Sequence, residues 1–76
     1  MAFEELWRIV GELNTLPEQA ILPVSHSLSD GTKNRLCRRR PERVAEIVLW
    51  AIRQIDKGSV ETVDALVNRK AWEKDI

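Results

Sequence analysis

The residue types that could perform chemistry are few in this sequence, and their spacing is poor for catalysis. Ser25, His26 and Ser27 are consecutive, whereas a nucleophile and its base must meet across space and a third group must orient the base. On an extended chain, which we predict for this stretch, adjacent side chains point to opposite faces. We therefore predict no catalytic residue and expect that the protein is not an enzyme.

The sequence also lacks the patterns of metal and cofactor sites. It contains one His and one Cys, His26 and Cys37, so a zinc site would need carboxylates from unrelated segments. The three glycines are isolated from one another, which leaves no glycine-rich loop to hold a phosphate. We predict no metal ion and no cofactor, and we interpret Cys37 as a small core residue.

A basic cluster is the first feature that indicates binding. Residues 31–43 contain six basic residues and one acidic residue, a net charge of +5, whereas residues 1–30 contain one Arg and five acidic residues, a net charge of −4. At about 100° per residue, Arg35, Arg38 and Arg39 fall on one side of a helix, so we expect them to project together into solvent. The cluster comprises Lys33, Arg35, Arg38, Arg39, Arg40 and Arg43.

Three interpretations of the basic cluster remain open. Guanidinium groups bind phosphate and carboxylate oxygens in fork geometry, so the cluster could contact a nucleic-acid backbone or an acidic protein surface. Alternatively, it solvates a short helix and is neutralised by the acidic N-terminal helix of the same copy or of a second copy. Binding of an anionic partner by the cluster is therefore a hypothesis, and a solvated, neutralised helix face is the alternative.

Large apolar residues outside the predicted core faces are the second feature. Leu49 and Trp50 lie beyond the main apolar stripe of the longest predicted helix, and Trp72 lies away from the apolar face of the last one. A central helix that is packed on several sides could bury Leu49 and Trp50. Trp is also a favoured anchor of protein interfaces, and we therefore predict that Leu49, Trp50 and Trp72 form a partner or oligomer interface.

Apolar periodicity predicts three main helices and a short one. The first spans residues 3–13; the longest starts at Pro41 and runs to Lys57, where Gly58 provides a left-handed exit. The last is capped by Ser59, with an apolar face that includes Val60. The short helix is capped by Ser27 or Ser29 and continues to about Arg39.

The segment at residues 20–29 has a different pattern. Apolar residues and His26 alternate here with Pro23, Ser25 and Ser27, and such alternation is typical of extended chain. The alternating residues are Leu22, Val24, His26 and Leu28. Pro23 lacks a backbone donor, which favours an extended linker over a paired strand. We therefore predict an all-α fold, a small bundle of three main helices plus one short helix, with an extended Pro-containing segment between the first two helices.

Composition is consistent with one soluble globular domain over residues 1–76. The 76 residues have no net charge and are 43% hydrophobic and 32% charged, which argues against a disordered tail. No apolar run approaches the roughly 20 residues that cross a bilayer, so we expect no membrane association. The acidic N-terminus differs from a secretory signal, and a lone cysteine cannot form an internal disulfide, so we expect a cytoplasmic location.

The predicted order of extended segment, short helix and longer helix over residues 20–57 is loosely similar to ribbon-helix-helix DNA-binding proteins. The resemblance implies nucleic-acid binding through paired strands, but no base-contacting residue is assigned by it. Our prediction from the residues is a non-catalytic protein–protein interaction or adaptor module that self-associates, with a protein partner expected. A small nucleic-acid-binding regulator that uses the basic cluster is the alternative.

Overall fold

The computed structural model describes residues 2–72, and within them it contains five α-helices and no strand. The predicted all-α class is confirmed, but the helices outnumber those expected from the sequence. Without strands in this part of the chain, the likeness to ribbon-helix-helix proteins is not supported. The helices are α1 (Phe3–Leu13), α2 (Glu18–His26), α3 (Asp30–Leu36), α4 (Pro41–Asp56) and α5 (Val63–Trp72).

Helices α1 and α4 form as their periodicity predicts. Helix α1 begins and ends at the predicted residues and buries Leu6, Trp7 and Val10 on one face. Helix α4 has Pro41 in its first turn, where the missing backbone donor costs nothing. It ends one residue before the predicted Lys57, and Gly58 adopts the left-handed φ of 93°.

Helix α2 replaces the extended segment that we predicted for residues 20–29, and that prediction is wrong. The chain buries Ile21, Ser25 and Leu28, which is the i, i+4, i+7 spacing of a helical face. Pro23 is tolerated because the carbonyl that loses its donor belongs to Gln19. Gln19 and Pro23 are both exposed, so water can hydrate that carbonyl.

The starts of α3 and α5 test the predicted caps. Ser29 is the N-cap of α3, and its hydroxyl accepts a hydrogen bond from the Thr32 backbone at 3.3 Å. The predicted Ser59 cap of α5 is wrong, because the helix begins only at Val63 and the hydroxyl of Thr62 accepts from the backbone of Ala65 at 3.1 Å. Val60 therefore lies in the loop and is fully exposed rather than on the apolar face.

Helix α1 packs against α4, α2 and α3, and α5 packs against α4 and α3. Asn14, the C-cap residue of α1, donates a hydrogen bond from Nδ2 to the carbonyl of Ala45 at 3.0 Å. No helix within residues 2–72 combines the length and the apolar character needed to cross a membrane. The largest side chains that are almost completely buried are those of Leu6, Leu36, Ile47, Leu66, Val10, Val44, Val48 and Val67.

A polar clamp fixes the start of α5 against the start of α3. The backbone N–H of Ser29 donates to Asp64 Oδ1 at 2.9 Å. This hydrogen bond, together with hydrogen bonds from the Thr32 and Ser29 hydroxyls, holds the pKa of Asp64 below its ordinary value of 3.8, against the opposing effect of partial burial. The clamp therefore stabilises the fold more strongly when Asp64 is ionised than when it is protonated.

Replacing Asp64 with asparagine is expected to remove a pH-dependent part of the stability. Because the pKa is lower in the folded state, the contribution is complete above the unfolded-state value and is lost as the pH falls through the folded-state pKa. Asp64→Asn should be less stable than wild type at neutral pH, and the two should converge in acid. Thermal unfolding between about pH 7 and pH 2 measures this difference.

Asp56→Asn is the matched control for this experiment. Asp56 is exposed, and its side chain forms no hydrogen bond or ion pair with residues 2–72. The control should keep the pH dependence of the wild type. An Asp64→Asn deficit that persists unchanged into acid would contradict the clamp.

Candidate interaction surface around Trp72

The last described residue of α5, Trp72, is a large aromatic side chain on the outside of the fold. It is 64% exposed, whereas Trp side chains in folded proteins are highly buried on average. The guanidinium of Arg35 lies 3.9 Å from the centroid of its ring, and Arg35 also donates a hydrogen bond to Asn68 Oδ1, one turn earlier on α5. The exposed ring is thus held in place by an arginine of α3.

Arg39 is also attached to α5. Its Nη2 donates to the carbonyl of Ala71 at 2.6 Å, which supplies a partner and a positive charge to the C-terminal end of the helix. Arg35 and Arg39 are both half-buried. The expectation that Arg35, Arg38 and Arg39 project together into solvent is therefore wrong for two of the three, because α5 packs over them.

Two members of the basic cluster remain in solvent. Arg38 and Arg40 are exposed, and their side chains form no hydrogen bond or ion pair with residues 2–72. Arg38 lines a shallow depression beside Trp72, together with Gly31, Asn34 and the two attached arginines. The structure thus brings onto one surface an exposed Trp and a guanidinium that has no ion pair within residues 2–72.

The remaining two residues of the basic cluster, Arg43 and Lys33, do not line the depression beside Trp72. Arg43 is half-buried on α4 and forms an ion pair with Glu46 at 3.3 Å. The ammonium of Lys33 lies 5.3 Å from the centroid of the Phe3 ring on α1. The basic cluster of the sequence is therefore divided between several faces of the molecule.

Leu49 and Trp50, the other residues assigned to an interface, are less exposed than Trp72. Trp50 is half-buried and packs against the core, with Lys70 Nζ 5.0 Å from the centroid of its ring. The guanidinium of Arg69 lies 5.8 Å from the same ring centroid. Leu49 is half-buried, on a different flank of α4 from Trp50. An interface role for these two residues stays a prediction.

A groove between α1 and α2 is the other concave surface of note, and the sequence reasoning missed it. It has a volume of about 600 Å³. Phe3 is half-buried and Leu22 is 40% exposed at its wall, so apolar surface is accessible there. Glu4, Glu12 and Glu18 line it, opposed by Arg8 and Lys33. The signal that could have revealed it was the helical spacing of the buried residues in α2.

The residues considered for catalysis are scattered. His26 is exposed at the end of α2, whereas Ser25 is buried and donates to the carbonyl of Leu22 at 2.7 Å. Cys37 is half-buried and packs against the core. Within residues 2–72, no group of His, Cys, Asp and Glu side chains is arranged to hold a metal ion.

Comparisons with family models, with curated proteins and with solved structures find no match to this chain. No relative therefore contributes a site, a substrate or a partner. The surface around Trp72 and the groove between α1 and α2 are the features of residues 2–72 that indicate a function.

Proposed function

We propose that this chain is a non-catalytic protein-interaction module that self-associates through a surface centred on Trp72. The observation that supports this most strongly is the 64% exposure of Trp72 together with the Arg35 guanidinium 3.9 Å from its ring centroid. Trp and Arg are the residue types that most often dominate the energetics of protein interfaces. Because Arg35 already holds the ring, binding loses little side-chain entropy.

The charge distribution favours a second copy of the chain as the partner. Residues 1–30 have a net charge of −4, from one basic and five acidic residues, and residues 31–43 have a net charge of +5, from six basic residues and one acidic residue. Arg38 and Arg40 have no ion pair within residues 2–72. Contact between the acidic segment of one copy and the basic segment of another would compensate both, and complementary charges accelerate such association.

The proposed location is the cytoplasm. Cys37 is the one cysteine of the 76 residues, and it is half-buried rather than paired. A free thiol is typical of proteins that work in a reducing compartment.

The mass of the protein in solution tests the proposal. Sedimentation velocity across the micromolar range should show a mass that rises with concentration above the 8.8 kDa of one chain. Added salt should shift this rise to higher concentration, because it screens the contacts between exposed charges. A mass of one chain at every concentration would contradict self-association.

A nucleic-acid-binding regulator is the second candidate function, and it is favoured by the exposed side chains of Arg38 and Arg40, which have no ion pair within residues 2–72. Two phosphate contacts predict a log–log slope of affinity against salt of about −1.8 on duplex DNA. The double variant Arg38→Ala, Arg40→Ala should abolish most of this slope. It should keep the helical content, since neither side chain forms a hydrogen bond or ion pair with residues 2–72. Fluorescence anisotropy against salt measures it.

The matched control for the nucleic-acid test is the double variant Arg53→Ala, Lys57→Ala. These two residues are exposed at the far end of α4, so the variant removes the same charge from a different place. Equal loss of binding in both double variants would indicate that only net charge matters. Undetectable binding of DNA and RNA by the wild-type chain at low salt would eliminate this second candidate.

A further inference from the structure

The two surfaces described above carry opposite charge among residues 2–72. Trp72 is an exposed side chain with the Arg35 guanidinium against one face of its ring, and it adjoins Arg38, whose side chain has no polar partner within residues 2–72. The groove between α1 and α2 is a concave surface with accessible apolar side chains at Phe3 and Leu22. Three glutamates and two cations line the groove, whereas the described charged residues beside Trp72 are arginines.

We propose that Trp72 of one copy inserts into the groove between α1 and α2 of a second copy, so that the chain associates head to tail. This inference rests on the proposed self-association and specifies its contact. The indole would cover the apolar side chains of the groove. Arg38 would lie near the glutamates Glu12 and Glu18, which are exposed on the rim.

The placement of the two surfaces excludes an intramolecular version of the contact. Lys33 of α3 borders the groove, whereas Arg35, two positions later, contacts Trp72. Positions two apart on a helix differ in direction by about 200°, so the two surfaces lie on different sides of α3. Within residues 2–72, neither surface can cover the other, so the contact requires a second copy, and such heterologous contacts build rings or open chains.

The expected strength of the contact is modest. A tryptophan side chain buries about 150–250 Å², whereas stable interfaces bury about 1,200–2,000 Å² in total. Side chains around the indole must bury the remaining area. We therefore expect association in the micromolar range, with marked dependence on salt.

Mixing two single-site variants tests the head-to-tail arrangement. Leu22→Glu places a charge in the groove at a residue that is 40% exposed, and Trp72→Ala removes the projection. Each variant alone lacks one of the two complementary surfaces, so its self-association should fall by about 30-fold or more. In an equimolar mixture, the intact groove of one variant receives the intact Trp72 of the other, and a one-to-one complex should appear in sedimentation velocity.

Controls separate this effect from misfolding. Leu13→Glu introduces the same charge at an apolar residue of α1 that is 50% exposed and lies outside the groove, and it should associate like wild type. Glu18→Lys is a second groove variant at an exposed position, and it should also associate weakly. Its equimolar mixture with Trp72→Ala should again form the one-to-one complex. Circular dichroism of each variant confirms that the helices are retained.

The outcomes distinguish the head-to-tail contact from the proposed function. Recovery of a one-to-one complex in the mixtures supports the contact. A wild-type chain that self-associates, with mixtures that stay at the mass of one chain, overturns the head-to-tail contact but leaves self-association in place. A wild-type chain that stays single at all concentrations overturns the proposed function as well.

Discussion

Replacing Trp7 with alanine is expected to lower the free energy of unfolding by about 3–5 kcal/mol, the usual cost of removing a large buried aromatic side chain. Trp7 is 4% exposed, and its ring stacks on that of Phe3 at a centroid distance of 5.3 Å. Its Nε1 donates a buried hydrogen bond to the carbonyl of Ile21 at 3.0 Å, which ties α2 to α1. Urea denaturation followed by circular dichroism measures the loss.

Trp7→Phe separates the hydrogen bond from the ring. It keeps an aromatic side chain but removes the indole donor, and because the carbonyl of Ile21 stays within the hydrogen-bond ladder of α2, the loss should be about 0.5–1.5 kcal/mol. A domain of this size has a small total stability, so the alanine variant should be largely unfolded at moderate temperature. Equal stability of the wild-type chain and the alanine variant would contradict the docking of α2 on Trp7.

Replacing Trp72 with alanine is expected to weaken self-association by about 30-fold or more while leaving the chain folded. The reason is that Trp72 is 64% exposed and lies outside the core, whereas exposed aromatic anchors carry much of the binding energy of an interface. Sedimentation velocity of the wild-type and variant chains over the same micromolar series measures the change in the association constant.

Val60→Ala is the matched control for Trp72→Ala. Val60 is fully exposed in the loop before α5, so the variant truncates an exposed apolar side chain away from the proposed surface. It should associate like wild type. If Trp72→Ala associates as strongly as Val60→Ala, Trp72 is not the anchor of the interface.

The sequence predicts α1 and α4 well because local signals and tertiary packing agree there. Both helices have a continuous apolar stripe, and α4 also has a proline in its first turn and a glycine after its end. Such signals act within a few residues of each other. Their effect is therefore visible without knowledge of the rest of the fold.

Helix α2 could not be predicted in the same way. Pro23 and the alternation around it favour an extended chain locally, whereas burial of Ile21 and Leu28 and the hydrogen bond from Trp7 are long-range. Tertiary contacts stabilise a helix that its own propensity does not favour. The groove between α1 and α2 exists only because α2 is helical, so it was missed together with the helix.

The candidate surface was predicted in part. The sequence predicted an interface at Leu49, Trp50 and Trp72 and, separately, a basic cluster with an anion-binding or a merely solvated role, and the structure places Arg35 and Arg38 beside Trp72. It could not identify which arginines α5 would cover, since the contact from Arg39 to Ala71 spans 32 positions of the chain. Nor could helix-face arithmetic on single helices show that Trp50 would pack against the core with Lys70 above its ring.

The most direct measurement is the indole N–H region of the two-dimensional ¹H–¹⁵N NMR spectrum, recorded from millimolar to micromolar protein. The chain has three tryptophans, and the backbone signal of Val60, which is fully exposed in the loop before α5, serves as an internal reference. If self-association proceeds through Trp72, its indole signal shifts with concentration, the backbone signals of Leu22 and Phe3 in the groove shift in parallel, and the Val60 signal stays constant. A Trp72 signal that does not change across this range would contradict the proposed interface.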